Sequence, residues 1–144
     1  LVWDKDNGKT DFADCELAWT DFSQAVRKFK WRWQGMLQEK MGRQKEKRVH
    51  PTQKPLELMK WCIIQAEKHR EINIILDPFA GSGTIGRAAM ELGRKCVLIE
   101  KEKKYCDICV SRLEMPVQDD FVFQSTNRNA RGDGVNCNQL EMLV

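Results

Sequence analysis

Ile74-Ile75-Leu76-Asp77-Pro78-Phe79-Ala80-Gly81-Ser82-Gly83-Thr84 is the stretch whose reading decides the fold. Three consecutive aliphatics predict a strand buried on both faces, and the glycines and threonine after them predict a tight turn into a helix. Asp77 stands where the strand ends. Its carboxylate is therefore expected over the carboxyl edge of a parallel sheet, the side on which doubly wound folds bind ligands.

Outward from this centre, a predicted strand Ile72 to Leu76 leads through the turn into a helix from about Thr84 to Leu92, with Ile85, Ala88, Ala89 and Leu92 on one face. Gly93 ends that helix as a C-cap. Cys96-Val97-Leu98-Ile99 reads as a second short buried strand ending in Glu100, and Lys103 to Leu113 as a second helix. A right-handed crossover sets the two strands side by side in parallel. Upstream, Pro55 suits the first turn of a helix in which Leu56, Met59, Ile63 and Ala66 recur at helical spacing up to about His69.

The amino-terminal third reads differently. Val2-Trp3 ends a strand, Asp6-Asn7-Gly8 tolerates positive φ, and a hairpin is expected over 16–33: Leu17 to Phe22 is strand-like, and Phe29-Lys30-Trp31-Arg32-Trp33 alternates aromatic with basic residues. The segment 34–49 is polar and lacks an apolar period, which predicts an exposed, mobile loop. From Pro116 onward the chain is rich in Asn, Gln, Asp, Gly and Ser, so 116–144 is expected to be a flexible tail.

Bulk properties bound the functions open to such a chain. With 144 residues it has the length of one domain, and its 42% hydrophobic and 31% charged residues are those of a soluble globular protein. No apolar run approaches the roughly 20 residues that span a bilayer, and the start has no signal-peptide pattern. The net charge of +3 is unevenly spread: Arg27 to Arg48 holds nine basic residues against two acids, Glu39 and Glu46. Of the six cysteines, Cys62, Cys96 and Cys109 fall on expected core faces, which favours free thiols and a reducing cytoplasmic setting.

The chemistry of the centre narrows the ligand. Gly81-Ser82-Gly83-Thr84-Ile85-Gly86 satisfies G-x-G-x-x-G, and Glu100 follows at the tip of the next strand, where a carboxylate grips ribose hydroxyls. No Lys-Ser or Lys-Thr follows the glycines, which rejects a P-loop. In dehydrogenases the first glycine ends the strand directly; here Asp77-Pro78-Phe79-Ala80 intervenes, and a carboxylate there repels a pyrophosphate. It suits an ammonium group instead, with Phe79 placed for an adenine ring or a cationic sulfonium. S-adenosylmethionine carries adenosine, ammonium and sulfonium together.

Asp-Pro-Phe-Ala-Gly-Ser-Gly-Thr at 77–84, preceded by His-Pro-Thr-Gln-Lys-Pro at 50–55, resembles the S-adenosylmethionine-dependent DNA methyltransferases that modify exocyclic amino groups of adenine or cytosine, in the permuted class whose catalytic motif precedes the cofactor motif. The resemblance covers roughly residues 1–114. It implies an α/β fold, a partial Rossmann-like methyltransferase sheet with a β-hairpin, organised as the carboxyl-terminal part of such a domain over 1–115. Asp77, Phe79, Ala80, Gly81, Ser82, Gly83 and Thr84 become the loop around the cofactor, and Glu100 the ribose ligand. His50, Thr52, Gln53 and Lys54 become the segment closing over the methionine moiety in a cofactor half spanning 50–115. Double-stranded DNA becomes the partner, met by Lys40, Arg43, Lys45, Lys47 and Arg48 of the basic loop 34–49, with adenine the favoured target.

One departure limits the activity. The family's Asp/Asn/Ser-Pro-Pro-aromatic tetrapeptide, which holds the flipped base and its amino group, occurs nowhere in the sequence. This reading therefore assigns no catalytic residue to the chain and expects a fragment lacking the central catalytic strand. That strand would lie upstream, and its absence leaves a strand edge open to self-association. A catalytically silent cofactor- or DNA-binding remnant is the alternative, and a nicotinamide-dependent dehydrogenase a third. Cys106-Asp107-Ile108-Cys109 has zinc-like spacing but lies within a predicted helix, so no metal is assigned. His50 is read as fixing its loop, and Trp31 and Trp33 as core.

Overall fold

The computed structural model describes residues 1–8, 10–34, 36–115 and the backbone of 140–143. The chain forms two compact units, Leu1–Ile72 and Asn73–Val144. Among the described residues no helix is long and apolar enough to cross a membrane.

In the first unit β1 (Val2–Asp4) is the middle strand of three, in the order β2-β1-β3. It pairs antiparallel with β2 (Cys15–Leu17) and parallel with β3 (Lys28–Lys30). The turn between β1 and β2 is the one that Asp6-Asn7-Gly8 announced: Asp6 and Gly8 have φ of 51° and 66°, and the Asn7 side chain donates to Ala13 O. The hairpin expected over 16–33 does not form. The ladder of β2 closes with Ala18 N–H donating to Leu1 O at 3.0 Å, and the chain then crosses to the far side of β1, where Trp31 N–H reaches Asp4 O at 2.9 Å. Leu17 and Trp19, part of the run that read as a strand, are consequently exposed.

The loop 34–49 is also more ordered than its composition predicts. It holds a two-stranded pair, β4 (Trp33–Gln34) with β5 (Leu37–Gln38), and a single 3-10 turn over Gly42–Gln44. Polar side chains fix it. Buried Gln38 exchanges two bonds of 2.9 Å with the backbone of Glu46, and the Glu46 carboxylate accepts Leu56 N–H at 3.0 Å. That contact serves the first turn of α1 (Leu56–Glu67), whose N-cap, Pro55, has no side chain able to cap it. Trp3, Trp33 and Leu58 form the buried centre of the unit, with Phe29, Trp31 and Trp61 packed around them. Both buried indoles are satisfied, Trp3 by Trp31 O at 2.9 Å and Trp33 by Gln53 O at 3.1 Å.

The second unit follows the sequence closely. β6 (Ile74–Asp77), α2 (Thr84–Glu91), β7 (Lys95–Ile99) and α3 (Lys103–Glu114) succeed one another, and β6 pairs with β7 in parallel. Gly93, with φ of 68°, ends α2 as expected. The tail behaves otherwise than expected where it is described: β8 (Leu140–Leu143) pairs with β7 in parallel, giving the order β6-β7-β8. Residues 116–139 and 144 of the expected flexible tail lie outside the described residues. The core comprises Ala80, Ala89, Cys96, Leu98, Cys109 and Leu113.

β6 is not buried on both faces. Ile75 packs against the core, while Ile74 and Leu76, which point the other way, are 60% and 62% exposed. The physical reason is the period of two. Parallel register puts Ile75 beside Cys96, so α2 and α3 cover only that face of the sheet. Among the described residues β6 is an edge strand.

Candidate cofactor-binding site

Two carboxylates sit at the ends of adjacent parallel strands, Asp77 closing β6 and Glu100 following β7. Asp77 Oδ1 accepts Phe79 N–H at 3.0 Å, which turns the chain sharply off the strand. Ala80 N–H then returns to Ile99 O at 2.9 Å, and Gly81 N–H donates to Glu100 Oε2 at 2.7 Å. The second Glu100 oxygen accepts Glu102 N–H at 2.9 Å. Glu100 thus fastens the glycine loop to the start of the next helix.

The glycines answer different demands. Gly81 and Gly83 both have positive φ, 54° and 74°. A Cβ on Gly83 would also lie 2.3 Å from Cys109 Sγ of α3, so glycine is required twice over there. Gly86, the third of the pattern, is helical; its Cβ would come within 2.6 Å of Leu98 Cδ1, and it serves close packing of α2 on β7.

Ser82 and Thr84 turn their hydroxyls inward to Arg112. Arg112 Nη1 donates to Ser82 O at 2.7 Å, to Ser82 Oγ at 2.9 Å and to Thr84 Oγ1 at 3.3 Å. What these two residues offer a ligand is backbone, and Arg112 is the anchor that sequence reading missed. A lone arginine in an amphipathic helix gives no signal of such a role. Phe79, by contrast, is 88% exposed.

Electrostatics bear on the ligand. Burial raises the Asp77 carboxyl above the usual range; the Phe79 N–H partly offsets this, and the nearby Glu100 charge raises it further. Burial also holds the Cys96 and Cys109 thiols at about 12 and about 11, so neither is a thiolate at neutral pH. Among the described residues no group of three His, Cys, Asp or Glu is arranged to hold a metal. The arrangement favours a cation. With the Gly81 N–H already committed to Glu100, a pyrophosphate would meet carboxylates where a dinucleotide fold presents free donors.

The remaining predicted residues belong to the first unit. His50 holds its own loop, its Nδ1 accepting Thr52 N–H at 3.2 Å, with Thr52 Oγ1 at 3.1 Å. Gln53 is buried and acts as a strut: its Oε1 accepts Val49 N–H at 2.9 Å, and its Nε2 donates to Glu46 Oε1 at 2.9 Å and Lys47 O at 3.1 Å. Lys54 reaches Glu16 at 2.6 Å. Of the basic loop, Arg43, Lys47 and Arg48 are exposed, while Lys40 and Lys45 are half-buried. Lys40 stands 5.8 Å from the Trp31 ring centroid, and Arg48 stands 5.6 Å from that of Trp33 while donating to Pro51 O at 3.0 Å. Trp31 and Trp33 belong to the core cluster, in agreement with the sequence.

The fold is an α/β sheet with paired strand-end carboxylates over a left-handed glycine loop. More particularly, this chain belongs to the DNA methylase family, whose model matches residues 3–111. It is 45% identical over 82 residues to the Type II methyltransferase M2.DpnII of Streptococcus pneumoniae, covering 57% of this chain and 29% of that protein. Against the Type II methyltransferase M.HinfI of Haemophilus influenzae it is 40% identical over 75 residues, covering 52% of this chain and 20% of the relative. The crystal structure of the M1.HpyAVI–SAM complex superposes with a TM-score of 0.53 at 29% identity, over 78% of this chain and 59% of that one. These matches span less than a third of the two curated relatives' length.

Proposed function

We propose that this chain forms the methyl-donor half of a DNA amino-methyltransferase, binding S-adenosylmethionine on the loop from Asp77 to Thr84 and at Glu100. The observation that carries this is the pair of carboxylates at neighbouring strand ends, with the glycine loop N–H turned inward onto Glu100. The donor set fits the cofactor: acceptors for an ammonium and a ribose diol, and the exposed Phe79 ring for the adenine or the sulfonium. When bound, the cofactor supplies an electrophilic methyl group on a positively charged sulfur.

The chain's own residues orient and neutralise. Asp77 offers a carboxylate that is more basic than usual, and a bound cation lowers its pKa again, so cofactor binding releases a proton when Asp77 starts out protonated. Glu100 holds the loop through the Gly81 N–H and, standing at the end of the neighbouring strand, is the proposed ribose ligand. Gly81 and Gly83 let the backbone come close, and Arg112 keeps the loop from opening. The segment His50 to Lys54 of the first unit is kept as a proposed cofactor contact, through His50 and Thr52. Gln53 supports that segment from within, and Lys54 serves there only after exchanging Glu16 for a ligand carboxylate.

Double-stranded DNA is the proposed acceptor, its phosphates met by Lys40, Arg43, Lys45, Lys47 and Arg48 in a strongly salt-dependent manner. Its exocyclic amino group, on adenine or cytosine, would be held by a Pro-Pro-aromatic motif that this sequence does not contain. The exposed Ile74 and Leu76 on the edge strand are taken as a surface through which copies self-associate. Free, buried Cys96, Cys106 and Cys109 suit a reducing cytoplasm.

Isothermal titration with S-adenosylmethionine tests the donor half. Glu100→Gln removes a charge-assisted bond of about 1.5–3 kcal/mol and should weaken binding roughly 10- to 150-fold. Unchanged affinity in that variant would reject Glu100 as a ligand.

A further inference from the structure

A second, chemically distinct site lies wholly within the first unit. A cavity of about 310 Å³ opens between the segment 24–28 and the carboxyl-terminal end of α1, walled by Trp61 and lined by Arg27, Lys28, Lys68 and His69. That volume is at the small end of ligand pockets, enough for a phosphate group and part of what carries it. Its other two lining residues are Gln24 and Gln65. The Gln65 Oε1 accepts from Lys68 Nζ at 3.1 Å, and the Gln24 Oε1 lies 3.1 Å from His69 Nε2. Both amide oxygens are thus engaged, and each Nε2 remains to donate.

No carboxylate lines the cavity. Asp4 and Asp21 are each paired, Asp4 with Lys28 at 3.1 Å and Asp21 with Arg70 at 2.8 Å. The end of α1 normally disfavours anions, but Ala66 O accepts the N–H groups of His69 and Arg70, which blunts that field. His69 is held in place by stacking on Phe22 at 4.3 Å.

We propose that this cavity binds a phosphate oxyanion, held by Arg27 and Lys68 with Gln24 and Gln65 as supporting donors. The oxyanion is a group of a nucleic-acid backbone or a free phosphate. The site is separate from the basic loop 34–49 and does not depend on the cofactor reading.

The test is a titration of the full chain with inorganic phosphate at constant ionic strength set by chloride, following the Trp61 indole N–H by NMR. Arg27→Gln combined with Lys68→Gln should weaken a saturable, millimolar response at least tenfold. Lys101→Gln combined with Lys104→Gln, which removes the same charge elsewhere, should leave it unchanged. Duplex DNA separates the two sources. If the Arg27/Lys68 variant also weakens duplex binding and flattens its salt dependence by about two phosphate contacts, the group belongs to the nucleic-acid backbone; unchanged duplex binding assigns a free phosphate. No saturable response, or an equal loss in the Lys101/Lys104 variant, would overturn the site.

Discussion

Replacing Gly83 by alanine probes the loop at its tightest point. Two costs are superimposed there. The backbone has φ of 74°, a conformation that costs an L residue about 1–2 kcal/mol, and the new Cβ would lie 2.3 Å from Cys109 Sγ. Relieving that overlap by moving α2 or α3 costs about 1–3 kcal/mol more, for a total of about 2–5 kcal/mol. Against a domain stability of about 5–15 kcal/mol this is a large fraction. Urea denaturation followed by far-ultraviolet circular dichroism should show a midpoint lowered by about 1–2 M. Gly93→Ala is the internal control, since it has φ of 68° but nothing within 4 Å of its Cβ, and should lose only the backbone part. Adding Cys109→Ala to Gly83→Ala removes the sulfur and should return part of the steric term, despite the small cavity that the alanine leaves elsewhere in the core. If Gly83→Ala costs no more than Gly93→Ala, α3 does not press on the loop and the reasoning fails.

Asp77→Asn should stabilise the second unit while weakening the cofactor. The carboxyl is raised above its ordinary value of 3.8 in the folded state, so the stability it lends is full below that value and is lost as pH rises through the folded pKa. The stability difference between variant and wild type should therefore vanish in acid and be greatest near neutrality, as pH-dependent urea midpoints would show; a constant difference would contradict it. Arg112→Met should loosen the Ser82–Thr84 turn by about 1.5–3 kcal/mol, read as faster amide hydrogen exchange at Gly83 and Thr84. Glu46→Ala should cost about 1–2 kcal/mol through the uncapped first turn of α1, with Glu46→Gln losing less; equal losses would show that the acceptor oxygen at Leu56 N–H is unimportant. Ile74→Asp with Leu76→Asp should reduce self-association in sedimentation velocity, and unchanged association would exclude this edge.

Much of the second unit was legible because its signals are local. The aliphatic run into Asp77, the helical spacing of Ile85, Ala88 and Ala89, and Gly93 at the helix end each specify structure within a few residues. The first unit was harder because β1 draws its neighbours from 15–17 and 28–30, a pairing that no run of residues announces. The hold on 34–49 comes from Gln38, Glu46 and Gln53, polar residues invisible to hydrophobic periodicity. Asp77 and Glu100 were foreseen as a pair. That Glu100 takes the Gly81 N–H, and that Arg112 binds the loop from behind, required coordinates.

The central claim is that this chain carries the donor chemistry without the acceptor chemistry. Its most direct test measures S-adenosylmethionine binding and methyl transfer to duplex DNA on the same purified 144-residue protein. Saturable cofactor binding that Glu100→Gln weakens roughly 10- to 150-fold, with no methyl group incorporated into DNA, is the predicted result. Robust methylation of DNA by the chain alone, or cofactor binding indifferent to Glu100, would contradict it.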